Sequence, residues 1–221
     1  CAAAGLVIGG LSMTGLGMKA ANVILTVSGG QPAMTLVIAA VVTIILGLGM
    51  PTPSAYILAA VLVGPALAKL GYPILQSHMF LLYYAIMSAL TPPIAVAALA
   101  AAAIADEDPF KIAFSAVRLA AIGFLMPFAF IWNPGLLLLG DTMTNSVALL
   151  GGVLATAAVA ISIEGTVGIA LRPVVRFVLV LAAIAAVLPI IPVALASIAF
   201  ILLISVRYAM LLRRRAAPNT A

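Results

Sequence analysis

The sequence predicts an all-α, polytopic integral membrane protein, and three observations carry that prediction. Hydrophobic residues form 66% of the chain and charged residues 7%, whereas a soluble domain carries about 25% charged residues to face water. Mean hydropathy is +1.37. The few charges also stand far apart. Lys19 to Lys69 encloses 49 residues without a formal charge, and Lys69 to Asp106 encloses 36, with only His78 to titrate. Arg118 to Asp141 and Asp141 to Glu164 enclose 22 each, and Arg176 to Arg207 encloses 30. Each stretch exceeds the roughly 20 apolar residues a membrane helix needs, and two are long enough for a pair of passes.

The formal charge of +5 is not a nucleic-acid signature. Its clearest cluster, Arg213 to Arg215, follows an apolar run, where positive-inside anchors sit. A single cysteine, Cys1, excludes an internal disulfide framework and a Cys-rich transition-metal site. The chain starts without Met and inside an apolar segment, and reads as a fragment of a longer membrane protein.

Residues 1–18 are small and apolar, suited to the end of a membrane helix. Residues 19–30 (KAANVILTVSGG) mix polar and apolar side chains, as a segment along the membrane interface does. Gln31-Pro32 then opens an apolar run, with Pro placed for a helix start. The run ends in Gly47-Leu48-Gly49-Met50-Pro51-Thr52-Pro53-Ser54, which cannot continue as regular helix because Pro lacks the N–H and Gly weakens the turn. Ala55 to Ala68 is apolar again. Two runs of about 14 residues, about 21 Å each, fall short of a bilayer about 30 Å thick. They are expected to form a helical hairpin that enters the membrane, turns and leaves on the same side.

Tyr72 to Leu90 then predicts a helix, Thr91-Pro92-Pro93 interrupts it, and Ile94 to Ala105 resumes it. Asp106-Glu107-Asp108-Pro109 ends the element in water. Ile112 to Trp132 and Asn145 to Ile163 predict two ordinary spans. In residues 173–212, Pro189-Ile190-Ile191-Pro192 predicts a tight hairpin between two short spans. Arg172, Arg176 and the terminal arginines then share the cytoplasmic side, which puts the acidic loop inside and opens the first hairpin outward.

No catalytic set is visible. Asp106, Glu107 and Asp108 read as a solvated loop, His78 as a satisfied or interface histidine rather than a proton relay, and Glu164 as an interface residue. The two breaks differ from these. Irregular backbone inside a membrane is tolerated only where it is buried in protein or lines a cavity, and its carbonyls, with the hydroxyls of Thr52, Ser54, Ser88 and Thr91, are hard oxygen ligands suited to Na⁺. The helix N-termini beyond the breaks favour an anion. Paired interrupted segments point to a secondary-transporter site, against the alternative that Pro and Gly merely kink the helices.

At these residues the chain resembles the large membrane subunit of TRAP (tripartite ATP-independent periplasmic) transporters, and most nearly the fused permeases that work with TAXI-type binding proteins. Leu46 to Leu62 (LGLGMPTPSAYILAAVL) and Ser88 to Ala105 (SALTPPIAVAALAAAAIA) carry the resemblance, with Ala116 to Leu136 also familial. It covers residues 1 to about 140. Pro53 departs from it, standing where a hydroxyl residue is expected, which leaves Thr52 the stronger ligand. The resemblance implies an elevator-type carrier of two inverted repeats, this chain holding the second. Residues 1–31 would be the end of a scaffold helix plus the interfacial arm (19–31). Residues 32–140 would be the transport repeat, with hairpin 32–68, broken helix 72–105 and a following span 112–133. Residues 141–221 would be extra C-terminal helices and a basic tail.

The resemblance further implies a Na⁺-coupled importer of an organic acid in the cytoplasmic (inner) membrane of a bacterium or archaeon, with no cofactor beyond Na⁺ and no enzymatic activity. Sodium would be held by Gly47, Gly49, Thr52, Ser88 and Thr91. The substrate would be held by Met50, Pro51, Thr52, Ser54, Thr91, Pro92 and Pro93. Partners would be a periplasmic TAXI-type binding protein, the first repeat and fused small subunit of the same polypeptide, and the bilayer, with no nucleic acid. The rivals are a membrane scaffold, assembly factor or embedded enzyme using the same hairpins, which for catalysis would need an acid, nucleophile or metal cluster at depth. A channel would need a continuous polar stripe.

Overall fold

A computed structural model describes residues 2–166 and 171–216, and side chains over 5–166 and 171–206. Cys1 lies outside the described residues, as do the side chains of Arg207 and Arg213 to Arg215. Every regular element among the described residues is helical, and the chain is an all-α membrane protein. By length and composition Pro109–Trp132 and Thr142–Glu164 can each cross a bilayer, and a bent pair, Gly5–Met13 with Leu16–Val27, supplies a third crossing if it counts as one. The chain forms two compact units, residues 1–131 and 132–221.

The first unit opens with α1 (Ala2–Met13) and α2 (Leu16–Val27), bent by 73° at Gly15, which holds φ +65°. The sequence offered residues 1–18 as one helix end. A left-handed Gly ends a helix without the penalty a Cβ would carry, so the axis changes there. On α2 the buried face is Gly17, Ala21 and Ile24. A Cβ at Gly17 would stand 2.5 Å from the Val61 carbonyl oxygen, so backbone meets backbone. Lys69 Nζ donates to Asn22 Oδ1 at 2.6 Å. At the α2 end, Thr35 Oγ1 donates to the buried Ser28 Oγ at 2.7 Å, and Gly29 and Gly30 turn the chain with positive φ.

Helix α3 (Pro32–Gly47) starts with Pro in its first turn, and α4 (Thr52–Leu62) packs back along it. The apolar run expected to reach Ala68 divides: α4 stops at Leu62 and α5 (Gly64–Lys69) begins with Pro65 in its first turn. Pro65 has no N–H to give and its ring crowds the carbonyl one turn back. Helix α6 (Ile74–Ser88) packs on both arms of the hairpin. Leu36, Ala39 and Ala40 of α3, Ala59 of α4, Ala66 and Leu67 of α5, and Phe80, Leu81 and Tyr84 of α6 form one core. Four of these nine are alanines, which let helix backbones approach closely where lipid tails supply no hydrophobic drive.

Helix α7 (Val96–Ala105) follows the second break, and α8 (Pro109–Leu119) packs on it. Asp108 caps α8, accepting from the N–H groups of Phe110 (2.9 Å) and Lys111 (3.0 Å). The span expected as one helix is interrupted at Ala120 and continues as α9 (Ala121–Trp132). Phe128 of α9 meets Phe80 edge-on at 5.6 Å, Tyr84 donates to the Phe124 carbonyl at 2.6 Å, and Gln76 Nε2 donates to that of Phe130 at 2.9 Å.

The second unit holds a 3₁₀ turn (Pro134–Leu137), α10 (Thr142–Glu164), α11 (Pro173–Ala186) and α12 (Ile191–Ala216), the last three packed on one another. The break between α11 and α12 falls at the Pro189–Pro192 stretch. Arg176 ties α11 to α10, with Nε donating to the Ser162 carbonyl at 2.6 Å and Nη2 to that of Ile163 at 3.1 Å. Large exposed side chains such as Val153, Phe177 and Leu203 are what a lipid-facing surface carries.

Candidate functional site

The two breaks lie against each other inside the first unit. The hairpin turn runs from Gly47 to Pro51, with the Leu48 N–H donating to the Ile45 carbonyl and the Met50 N–H to that of Gly47. Gly49 sits at φ +75°, a conformation that Gly adopts without strain. A Cβ at Gly47 would collide with Ser88 Oγ and lie 2.8 Å from Ser88 Cβ. A Cβ at Gly49 would touch Ile94, at 3.4 Å from Cδ1 and 3.5 Å from Cγ2. Hairpin tip and helix break thus interlock through two glycines.

The second break runs from Ala89 to Ala95. Its Pro92–Pro93 bond is cis. The chain is stitched by donation from the Thr91 N–H to the Ser88 carbonyl (3.3 Å), from Ala95 to Thr91 (3.2 Å), and from Ala97 across the gap to Ala89 (3.1 Å). Ala95 holds φ +39° and is almost wholly buried. A left-handed Ala is uncommon, and strain of this kind gathers where the backbone serves a site.

This arrangement has a definite electrostatic sense. Helices α3 and α6 pack side by side and both end at the Gly47–Ser88 contact, so two carbonyl-bearing C-termini converge. Helices α4 and α7 start just past the two breaks, though the N–H groups of Ala97 and Ala98 in the first turn of α7 already bond the Ala89 and Ala95 carbonyls. Convergent C-termini favour a cation, and N-termini favour an anion. Neither break contains a formally charged residue.

The side chains singled out from sequence are divided by the fold. Gly47 meets Ser88, and Gly49 meets Ile94. Ser88 is buried, and its Oγ donates to the Ala85 carbonyl at 2.7 Å; Thr91 Oγ1 donates to that of Met87 at 2.8 Å. Each hydroxyl keeps lone pairs for a further partner. Met50 and Ser54 instead line a cleft of about 80 Å³ with Val7, Ile8 and Leu58, toward α1. Pro93 lines another of about 30 Å³ with Ile94, Ala95, Leu99, Pro109, Phe110 and Ala113. Pro51 is exposed, while Thr52 and Pro92 are half-buried.

Other candidates are accounted for locally. His78 Nδ1 and the Tyr56 hydroxyl share a hydrogen bond of 2.8 Å between α6 and α4. Asp106, Glu107 and Asp108 are exposed, with Lys111 Nζ 3.4 Å from Glu107 Oε2, and Glu164 ends α10 exposed. Sequence reasoning missed Ile94, which meets the tip, and Thr43. Thr43 is fully buried, and its hydroxyl has no partner among the described residues. Its signal was spacing: it lies one turn before Gly47 on the buried face of α3.

Fold and site define an all-α membrane protein with two facing breaks in its helices and uncharged polar groups at their junction. The chain belongs to the DctM family (Tripartite ATP-independent periplasmic transporter, DctM component), whose model matches residues 1–145. It is therefore a membrane subunit of a transporter family. No curated protein and no solved structure matches it significantly.

Proposed function

We propose that the chain is the second repeat of a Na⁺-coupled, elevator-type carrier that imports an organic acid delivered by a periplasmic binding protein of TAXI type, in a cytoplasmic membrane. The observation that carries this reading is the interlock of Gly47 with Ser88 and Gly49 with Ile94, which brings two C-termini and the hydroxyls of Ser88 and Thr91 to one place. Sodium sits there on the carbonyls of Gly47, Gly49 and Ser88 and the hydroxyls of Thr52 and Thr91. The carboxylate binds beside it, offset by the cation and by the N-termini of α4 and α7, with Met50, Pro51, Ser54, Pro92 and Pro93 around it. No side chain at the two breaks supplies a positive charge, so recognition rests on backbone and ion. The first repeat and a fused small subunit of the same polypeptide complete the shell.

Uptake of radiolabelled carboxylates by the full carrier in proteoliposomes, with and without a Na⁺ gradient and with and without its binding protein, tests this. Accumulation should require both. Equal accumulation without Na⁺ contradicts the coupling, and accumulation independent of the binding protein contradicts the delivery.

A further inference from the structure

Thr43 is the one feature of the tip–break junction to which the proposed ion and substrate sites give no role. The buried face of α3 reads Thr35, Leu36, Ala39, Ala40, Thr43 and Gly47. Thr35 is satisfied by Ser28 and Gln31, but Thr43, at 0% exposure, has a hydroxyl without a hydrogen-bond partner among the described residues. A buried helical Thr ordinarily donates to the carbonyl one turn back. Valine would fill the same volume with no orphaned group, so packing alone does not call for a hydroxyl here.

Position supplies a reason. Residues four apart stack on one helix face, so Thr43 lies one turn beneath Gly47 and hence beneath the contact with Ser88. On α6, Ser88 is buried and meets Gly47, and Tyr84 is buried one turn before it. The Ser88 hydroxyl donates to Ala85, so its oxygen is free to accept, whereas the Tyr84 hydroxyl is engaged by the Phe124 carbonyl of α9. Thr43 and Ser88 thus put two buried hydroxyls on the α3 and α6 faces that meet at Gly47, in an otherwise apolar core. Buried water bridges such groups when two or more partners are at hand.

Resting on the sodium reading above, we propose that Thr43 is a positioning residue for the coupling ion. Its hydroxyl anchors a water beneath the Gly47–Ser88 contact, and that water joins the ion's coordination shell from the α3 side. Thr43 does not touch the substrate. It sets how tightly the ion is held, and through the ion whether tip and break stay together.

The full carrier is tested as wild type, Thr43→Val and Thr43→Ser, reading half-saturating Na⁺ for uptake and the Na⁺-induced rise in melting temperature. Thr43→Val should melt at or above the wild-type temperature without Na⁺. It should also need about five-fold more Na⁺, the loss of one net hydrogen bond, and show a smaller Na⁺-induced shift. Thr43→Ser should restore the wild-type Na⁺ dependence. Thr43→Val with wild-type half-saturation, or Thr43→Ser matching Thr43→Val, overturns the inference while leaving Na⁺ coupling intact. A wild type indifferent to Na⁺ overturns both.

Discussion

Gly47 and Ser88, 41 positions apart in the numbering, touch so closely that a Cβ on the first would lie 2.8 Å from the Cβ of the second. Both residues are buried, so neither can swing away. Gly47→Ala should cost about 1–3 kcal/mol by overpacking, and for a chain of this size that lowers the melting temperature by roughly 2–4 °C per kcal/mol. Uptake should fall as tip and break part. Adding Ser88→Gly should recover much of the lost stability. A Gly47→Ala carrier that melts and transports as wild type would show that the contact does not exist in the working protein.

Arg176 closes the C-terminal end of α10. Its guanidinium donates to two carbonyls that the helix leaves without intrahelical partners, those of Ser162 and Ile163. Lysine keeps the charge but loses the planar fork. Arg176→Lys should destabilise the second unit by about 1–3 kcal/mol, the worth of hydrogen bonds to a charged group. Hydrogen exchange over the last turn of α10 should accelerate more than in its middle.

Gly151 meets the Ala186 carbonyl so closely that an added Cβ would overlap the oxygen. Backbone stands on both sides and cannot yield as a side-chain tip would. Gly151→Ala should lower the melting temperature, by about 1–3 kcal/mol of overpacking. Gly10→Ala, with nothing within 4 Å of the new methyl, should not. Equal melting of the two variants would contradict the packing of α10 on α11.

Asp141 caps α10 from outside the span, accepting from the Met143 N–H at 3.2 Å and from the Thr144 hydroxyl. The Thr144 hydrogen bond, above all, lowers its carboxyl below the ordinary 3.8. A depressed folded pKa gives stability that is present above the unfolded value and lost as pH falls through the folded one. Amide exchange at Met143 should therefore be flat from pH 7 to about 5 after correction for intrinsic rates, and protection should be lost only below about pH 4. Asp141→Ala should remove the protection at every pH.

The helices were legible in the sequence because charge is so scarce that every long uncharged run declared itself, and the two proline-rich interruptions stood out against them. The caps that Asp108 and Asp141 supply to α8 and α10 were not read from the sequence. The bend at Gly15 was not legible, since a lone Gly in an apolar run reads as an ordinary membrane residue until its φ is known. Pro65 divided a run expected to continue, and Ala120, a good helix former, interrupts α8 and α9 with no local signal. The interlock of Gly47 with Ser88 and Gly49 with Ile94 is a tertiary fact that spacing along one chain cannot express. For the same reason Met50, within the tip, and Ser54, just past it, turned out to line the cleft toward α1.

Thr52 and Thr91 offer the most direct test that tip and break form one ion site. Half-saturating Na⁺ for uptake is measured in the full carrier as wild type, Thr52→Val, Thr91→Val and the double variant. Groups that share one ligand are strongly non-additive. One shared site predicts that each single variant weakens Na⁺ dependence and that the double variant is scarcely worse than the weaker single. Effects that multiply as independent losses, or Na⁺ dependence unchanged in all three variants, would contradict it.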